Sequence, residues 1–279
     1  MLKRISCLFL FSGLILSGCT LEQKLAKTFV RDEPPCRLLI LEPEYLLKYN
    51  LKTYEVDGID SLDEFSRDSI LLENSLFLNQ LSDSVVIRNF LYGFINTLKL
   101  YRTVIIPEGS VDTMMQNGGM PYILNIAQFS LEEFLHPYSS EEAIYDEVLV
   151  VDGFDVNAIN FNIWIELGRM NTETKNKVLF ASDYLTDDIN GVFKQNLFTG
   201  KVIFDYTIDT ITVSKTYQFA REFGETSAAM VYDHLLNEYI RENLSENYPF
   251  VPYYYHYNPS RKILYSIDES QRILELESY

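Results

Sequence analysis

The sequence predicts an α+β fold: a mixed, largely antiparallel sheet with two helices packed on one face. Three observations predict it. Residues 158–167 alternate without a break, Ile159, Phe161, Ile163, Ile165 and Leu167 against Asn160, Asn162, Trp164 and Glu166, which is the period of a strand with one buried face. Val86, Phe90, Phe94, Leu98 and Tyr101 recur at helical spacing, widened by Leu91 and Ile95, so 84–102 should be an amphipathic helix lying on a sheet. Residues 215–243 carry the longest helical pattern, with Ala220, Gly224, Ala228, Val231, Leu235 and Tyr239 on one stripe. The small residues at 220, 224 and 228 would let the first half of that helix approach another backbone closely, and the protein's own sheet is the expected neighbour.

The remaining elements follow in chain order. Residues 1–18 read as an export signal and 19–36 as a short polar tether ending in Pro34-Pro35. Leu38 to Leu41, bounded by Pro35 and Pro43, is a compact apolar run and the first strand. The acidic, serine-rich stretch 57–84 reads as loop or irregular helix. After the helix at 84–102, Thr103 to Pro107 reads as a strand, so the opening is strand, helix, strand, which implies a parallel pair. Asn117-Gly118-Gly119 marks a turn, and Tyr122 to Leu131 is β-leaning. The alternating strand turns through 171–176 into a hairpin partner at Val178 to Ala181. Val202, Phe204, Tyr206 and Ile208 share one face of a further strand before the long helix. One domain over 37–247 is expected, with 248–279 as an appendage in which Tyr248, Phe250, Tyr253, Tyr254, Tyr255 and Tyr257 cluster around three prolines.

Composition removes several function classes. The chain has 279 residues, 47% of them apolar, which is globular composition. Forty acids against 23 bases give a formal charge of −17, so the average field repels phosphate backbones and nucleic acid is not an expected partner.

Lys3 and Arg4 precede the apolar run Ile5 to Leu16, and Leu16-Ser17-Gly18-Cys19 follows directly. A charged start, a short apolar centre and small residues at the cut make a secretory signal. The run falls short of the roughly 20 residues needed to span a bilayer. Residues 16–19 resemble the lipobox of bacterial lipoproteins. That resemblance implies diacylglycerol on the Cys19 thiol, cleavage before Cys19 and acylation of the new amino group. Each buried acyl methylene contributes about 0.8 kcal/mol, so several chains hold a soluble body durably at a membrane. Thr20 in place of an aspartate after the cysteine implies the outer membrane, and Leu21-Glu22-Gln23-Lys24 lacks an acidic surface-export signal, which implies the periplasmic face. Cleavage removes two cations and no acid, leaving −19. Cys7 leaves with the signal, so Cys36 has no disulfide partner and reads as a small apolar side chain at a strand start.

Strand, helix, strand, antiparallel strands and a closing helix over residues 37–243, behind a lipobox and tether, resemble the periplasmic auxiliary lipoproteins of ABC-type transport systems. The resemblance is one of topology and implies a body that docks to envelope machinery and has no active site. The acidic stretch 57–84 and the aromatic tail depart from that module.

No nucleophile elbow, phosphate-cradling loop or dinucleotide fingerprint occurs, so no catalytic residue and no cofactor is assigned. His136, His234 and His256 lie far apart and Cys pairs are missing, so no metal site is assigned either. Glu132-Glu133, Asp152 with Asp155, and Asp187-Asp188 read as solvated faces. The tyrosine cluster, joined by Trp164 on the polar-facing set of its strand, is the candidate interaction surface; packing of the tail over an open sheet edge is the competing reading. The leading functional expectation is a lipid-anchored, non-enzymatic scaffold or accessory subunit with a protein partner in the envelope. The alternative is a glycan-binding or glycan-hydrolysing protein with an acidic, tyrosine-lined groove.

Overall fold

The computed structural model describes residues 20–32, 36–53, 56–107, 109, 120–144, 147–170, 175–245, 248, 253–268 and 271–276, with backbone only for 142–152. Two compact units emerge. One combines the chain up to Pro35 with Ala229–Arg272; the other, larger, comprises Cys36–Ala228 and Ile273–Tyr279.

The larger unit is the expected α+β body. Strand β1 (Cys36–Leu41) pairs in parallel with β3 (Val104–Ile106) on one side and with the start of β4 (Met120–Ile144) on the other. Short β2 (Leu47–Asn50) also runs parallel to β4, further along it. From β4 onward the sheet is antiparallel: β4 with β5 (Glu147–Arg169), β5 with β6 (Lys177–Thr186), and β6 with the C-terminal β11 (Leu274–Leu276). The strand order is β11-β6-β5-β4-β1-β3. Between β2 and β3 come α2 (Glu64–Glu73), flanked by two 3-10 turns, and α3 (Asp83–Leu100). The stretch 57–84 is therefore helical in its middle, begun by Asp63, whose carboxylate accepts the Ser66 N–H.

Helix α3 and the first half of α4 (Val213–Asn243) lie on one sheet face through a phenylalanine core. Phe90 packs at 4.8 Å from Phe129 of β4 and 5.8 Å from Phe223 of α4, and Phe161 of β5 sits 5.0 Å from Phe219. The close approach foreseen for α4 is real, but its partner is helix α3. A Cβ on Gly224 would lie 2.2 Å from the Phe90 carbonyl oxygen, and one on Gly93 would lie 2.2 Å from that of Arg221. Both glycines are there because backbone meets backbone.

Strand β4 and strand β5 outrun the sheet. From His136 paired with Val156 to Ile144 paired with Glu147 their ladder partners among the described residues are only each other, an arm of roughly 30 Å at 3.3 Å per residue. A second hairpin, β7 (Asp188–Gln195) with β8 (Val202–Asp209), forms its own two-stranded sheet. The sequence showed β8 but not β7, whose Asp188, Asn190 and Gly191 are poor strand formers.

The smaller unit contains α1 (Leu21–Arg31), the second half of α4, and the hairpin of β9 (Tyr254–Asn258) with β10 (Ile263–Ile267). Here the expectation of a tether over 19–36 is corrected. Thr20 caps α1, its hydroxyl accepting the Gln23 N–H, and Glu22, Ala26, Phe29 and Val30 form a buried stripe at helical spacing. The polar composition hid that stripe because one of its members is a glutamate. The tail is likewise no appendage. Its tyrosines build β9, β10 belongs to the same unit, and its end adds β11 to the main sheet. The turns expected at 117–119 and 171–174 lie outside the described residues.

Candidate interaction site

The residues singled out from sequence divide between the two units. Cys19 and Phe250 lie outside the described residues. Trp164 belongs to the larger unit and the tyrosines to the smaller. Within the smaller unit Tyr253 is exposed and Tyr248 half-buried, but Tyr255 turns inward, 4% exposed. Its backbone N–H donates to Asn237 Oδ1 at 2.9 Å, its carbonyl accepts from Asn237 Nδ2 at 2.8 Å, and its hydroxyl donates to Glu22 at 3.2 Å. Two residues on, the Tyr257 N–H donates to Asp233 Oδ1 at 3.1 Å. Helix α4 thus offers side chains four apart, Asp233 and Asn237, to backbone groups two apart on β9. The burial is the reason: a strand edge taken out of water needs partners for its peptide groups.

Asp233 also meets His256, Oδ2 to Nδ1 at 2.5 Å. Burial drives the Asp233 carboxyl up to about 6, and the His256 and Tyr257 hydrogen bonds only partly oppose it. Burial raises the Tyr254 phenol as well, and its ring lies under the Arg272 guanidinium at 5.5 Å.

In the larger unit the carboxylates expected on solvated faces divide: Asp155 and Asp188 are exposed as expected and Glu132 is half-buried. Glu133 and Asp187 are buried. Glu133 accepts hydrogen bonds from the Ser75 hydroxyl at 2.6 Å and from the Leu76 and Phe77 N–H groups at 3.0 and 3.1 Å, and pairs with the Lys52 ammonium at 2.6 Å. Lys52 reaches on to Asn157 Oδ1 at 3.4 Å, and Asn157 donates to Asp187, whose other oxygen accepts the Ile211 N–H at 2.8 Å. Burial alone would raise the Glu133 carboxyl; Lys52, Ser75 and the two amides overcome it and hold the group below the ordinary carboxylate range. This network fastens loops to strands. It is internal, with Lys52 and Glu133 at 1% and 0% side-chain exposure. Cys36 is buried and its thiol pushed up to about 12 by desolvation, as an inert strand residue should be.

Two concave sites among the described residues, of about 170 and 590 Å³, contain one carboxylate each, Asp68 and Glu42, so neither gathers an acid pair. Two surfaces also gather aromatic side chains. On the sheet face away from the helices, the Trp164 and Phe180 rings meet at 4.8 Å, tilted by 47°; next to them Ser182 donates to Asn160, which donates to Asn162 and Glu132; beyond these His136 lies 5.1 Å from Tyr184. Trp164 thus lies where its strand phase put it.

The second surface is the two-hairpin arm, which sequence reasoning did not foresee. Tyr138 and Phe154 of the β4–β5 extension meet Phe204 and Tyr206 of β8, with Phe154 and Tyr206 stacked at 4.6 Å and Tyr138 and Phe204 at 6.4 Å. Phe204 lies over Gly191, where a Cβ would meet its ring at 2.2 Å. Val202, Phe204, Tyr206 and Ile208 do share a face, yet Tyr206 and Ile208 stay more than two-fifths exposed. At the tip Leu197 and Phe198 are fully in solvent, 91% and 100% exposed. The signal was Asn196 to Gly200, a turn sequence holding two large apolar residues.

No known protein family matches the chain, and neither does any curated protein. No helix among the described residues is long and apolar enough to cross a membrane.

Proposed function

We propose that the protein is a lipid-anchored envelope protein, held through Cys19 at the periplasmic face of the outer membrane, that acts without catalysis as a scaffold or accessory subunit of a transport or assembly complex. The anchor half of this reading rests on Leu16-Ser17-Gly18-Cys19 behind a charged and apolar leader. The scaffold half rests on one observation, the two-hairpin arm: an outreaching structure whose aromatic side stays half exposed serves contact with a partner rather than enclosure of a substrate. The perturbed carboxylates support it, because Glu133 and Asp233 are consumed by internal pairing. The protein expected on the arm is an envelope component with an apolar, aromatic-accepting groove.

Two measurements test the reading. Replacing Cys19 with Ala should move the protein from the membrane fraction to the soluble periplasm; retention in the membrane defeats the anchor. A photocrosslinking amino acid at Tyr206 should capture one envelope protein in native membranes, whereas the same group at exposed Phe65 should not. Equal or absent capture at both positions defeats the scaffold.

The outer sheet face favours a second reading, glycan binding. Trp164 beside Phe180 offers an aromatic surface, and Asn160, Ser182 and Glu132 offer donors and acceptors suited to hydroxyls. Calorimetric titration with envelope glycans that shows saturable binding, lost in Trp164→Ala, would place this reading first.

A further inference from the structure

We infer that the tip of the β7–β8 hairpin is a bilayer-inserting wedge, a contact with an anionic lipid surface separate from any anchor at Cys19. Four observations carry it.

The first is the exposure of Leu197 and Phe198, which no neighbouring side chain relieves. The second is that the turn holds them outward while four of its N–H groups are bonded within the turn. Asn196 Oδ1 accepts the N–H groups of Phe198 and Thr199 at 2.9 and 3.1 Å. Asn196 N–H donates to the Lys201 carbonyl and Gly200 N–H to the Asn196 carbonyl, both at 2.8 Å. Gly200 has φ +70°, the left-handed backbone that closes this turn and favours glycine. Hydrocarbon supplies no hydrogen-bond partners, so a turn that bonds these N–H donors internally suits the headgroup boundary of a bilayer.

The third is charge. The net charge of the chain is −17, yet residues 194–201 hold Lys194 and Lys201 and no acid. Lys194 pairs with Asp205, and Lys201 stands exposed beside the apolar pair. A cation flanking two apolar side chains matches an anionic headgroup layer above an acyl interior, while the acidic remainder of the chain is repelled from that layer. The fourth is area. Two side chains offer roughly 350 Å², well under the about 800 Å² a side of a stable protein interface. A bilayer asks for no complementary pocket, so two side chains suffice for a contact with it.

The test places an environment-sensitive fluorophore at the tip of the full chain as Phe198→Cys, with Cys7 and Cys19 changed to Ala and Ser. Cys36 is buried and stays unlabelled. A matched protein carries the label at exposed Phe65 instead. Vesicles of phosphatidylglycerol and phosphatidylethanolamine should blue-shift the tip label, and nitroxide groups near the headgroups should quench it; the Phe65 label should do neither. Because the readout is local, binding of vesicles by the N-terminal leader does not imitate it. Leu197→Ser beside the labelled position should lower the fraction inserted at least fivefold, and Lys201→Glu about threefold on anionic vesicles. An unchanged tip label overturns the proposal. So does a blue shift without vesicles that grows with protein concentration, which would assign the tip to a second copy, and so does a shift seen only when native envelope proteins are present. Equal insertion into pure phosphatidylcholine overturns the anionic preference. Failure of the Cys19→Ala fractionation leaves this result standing, so the two readings fail separately.

Discussion

Glu133 in the larger unit and Asp233 in the smaller are both buried carboxyl groups, and their acidities move in opposite directions. Glu133 is held below the ordinary range and Asp233 driven up to about 6. Burial raises both. What separates them is the company each keeps: a lysine ammonium, a hydroxyl and two amides around Glu133, against one imidazole and one amide at Asp233. Desolvation sets the cost of a buried charge, and the number and charge of donors decides whether that cost is met.

The comparison can be broken most sharply at Glu133. Glu133→Gln leaves the Lys52 ammonium buried without its counter-charge, and a stability loss of about 3–5 kcal/mol is expected. Urea unfolding followed by the fluorescence of Trp164, the single tryptophan, reads it in the right unit. A loss below about 1 kcal/mol would mean that neutral hydrogen bonds hold the site and charge does not.

In the smaller unit the strongest effect should come from the uncharged partner. Asn237→Ala strips Tyr255 of the partners for both its N–H and its carbonyl, so about 2 kcal/mol should be lost, with faster hydrogen exchange at the Tyr255 amide. Tyr255→Phe removes the hydroxyl and its bond to Glu22 and should cost about 1 kcal/mol, read as faster exchange of the same amide. Full retention of amide protection in Asn237→Ala would show that β9 is held by other contacts.

The smallest expected change at neutral pH is at Asp233 itself. Its folded pKa lies above the ordinary 3.8, so the native state binds the proton more tightly than the unfolded chain. Its contribution is greatest below about pH 4 and is lost as pH rises through about 6. Glu133 runs the other way, its contribution present above the ordinary carboxylate range and lost as pH falls through its lowered value. Asp233→Asn should alter stability at pH 7.5 by no more than about 1 kcal/mol and abolish the decline between pH 4 and 6. Carbon-detected titration of the wild-type carboxyl resonances should show one group near 6; its absence would dissolve the contrast.

Much of the fold was legible. The strand at 36–41, the helices at 83–100 and 213–243 and the alternation of β5 announce themselves because their apolar residues repeat with the backbone period. Glu133 was legible in part. It continues the phase of Phe129 and Leu131, the buried face of β4, while Glu132 points the other way. What no pattern disclosed was its partner, Lys52, 81 residues earlier. Helix α1 and strand β7 were missed for a different reason: polar or turn-forming residues occupy them, and tertiary packing overrode local preference. The tyrosine cluster was visible as composition, but composition does not tell an inward Tyr255 from an outward Tyr253.

By itself, then, the sequence determined the α+β class, the leader ending in Cys19 as a motif, and the phase of each long apolar repeat. These are local properties, set by 3.6 residues per helical turn and two per strand repeat. Only the tertiary structure decided that Glu133 is ionised in the interior, that Asp233 and Asn237 serve β9, and that Leu197 and Phe198 stand alone at a tip. A charge is tolerated, or an apolar residue left in water, according to which distant segments arrive beside it, and separation along the chain does not encode that arrival.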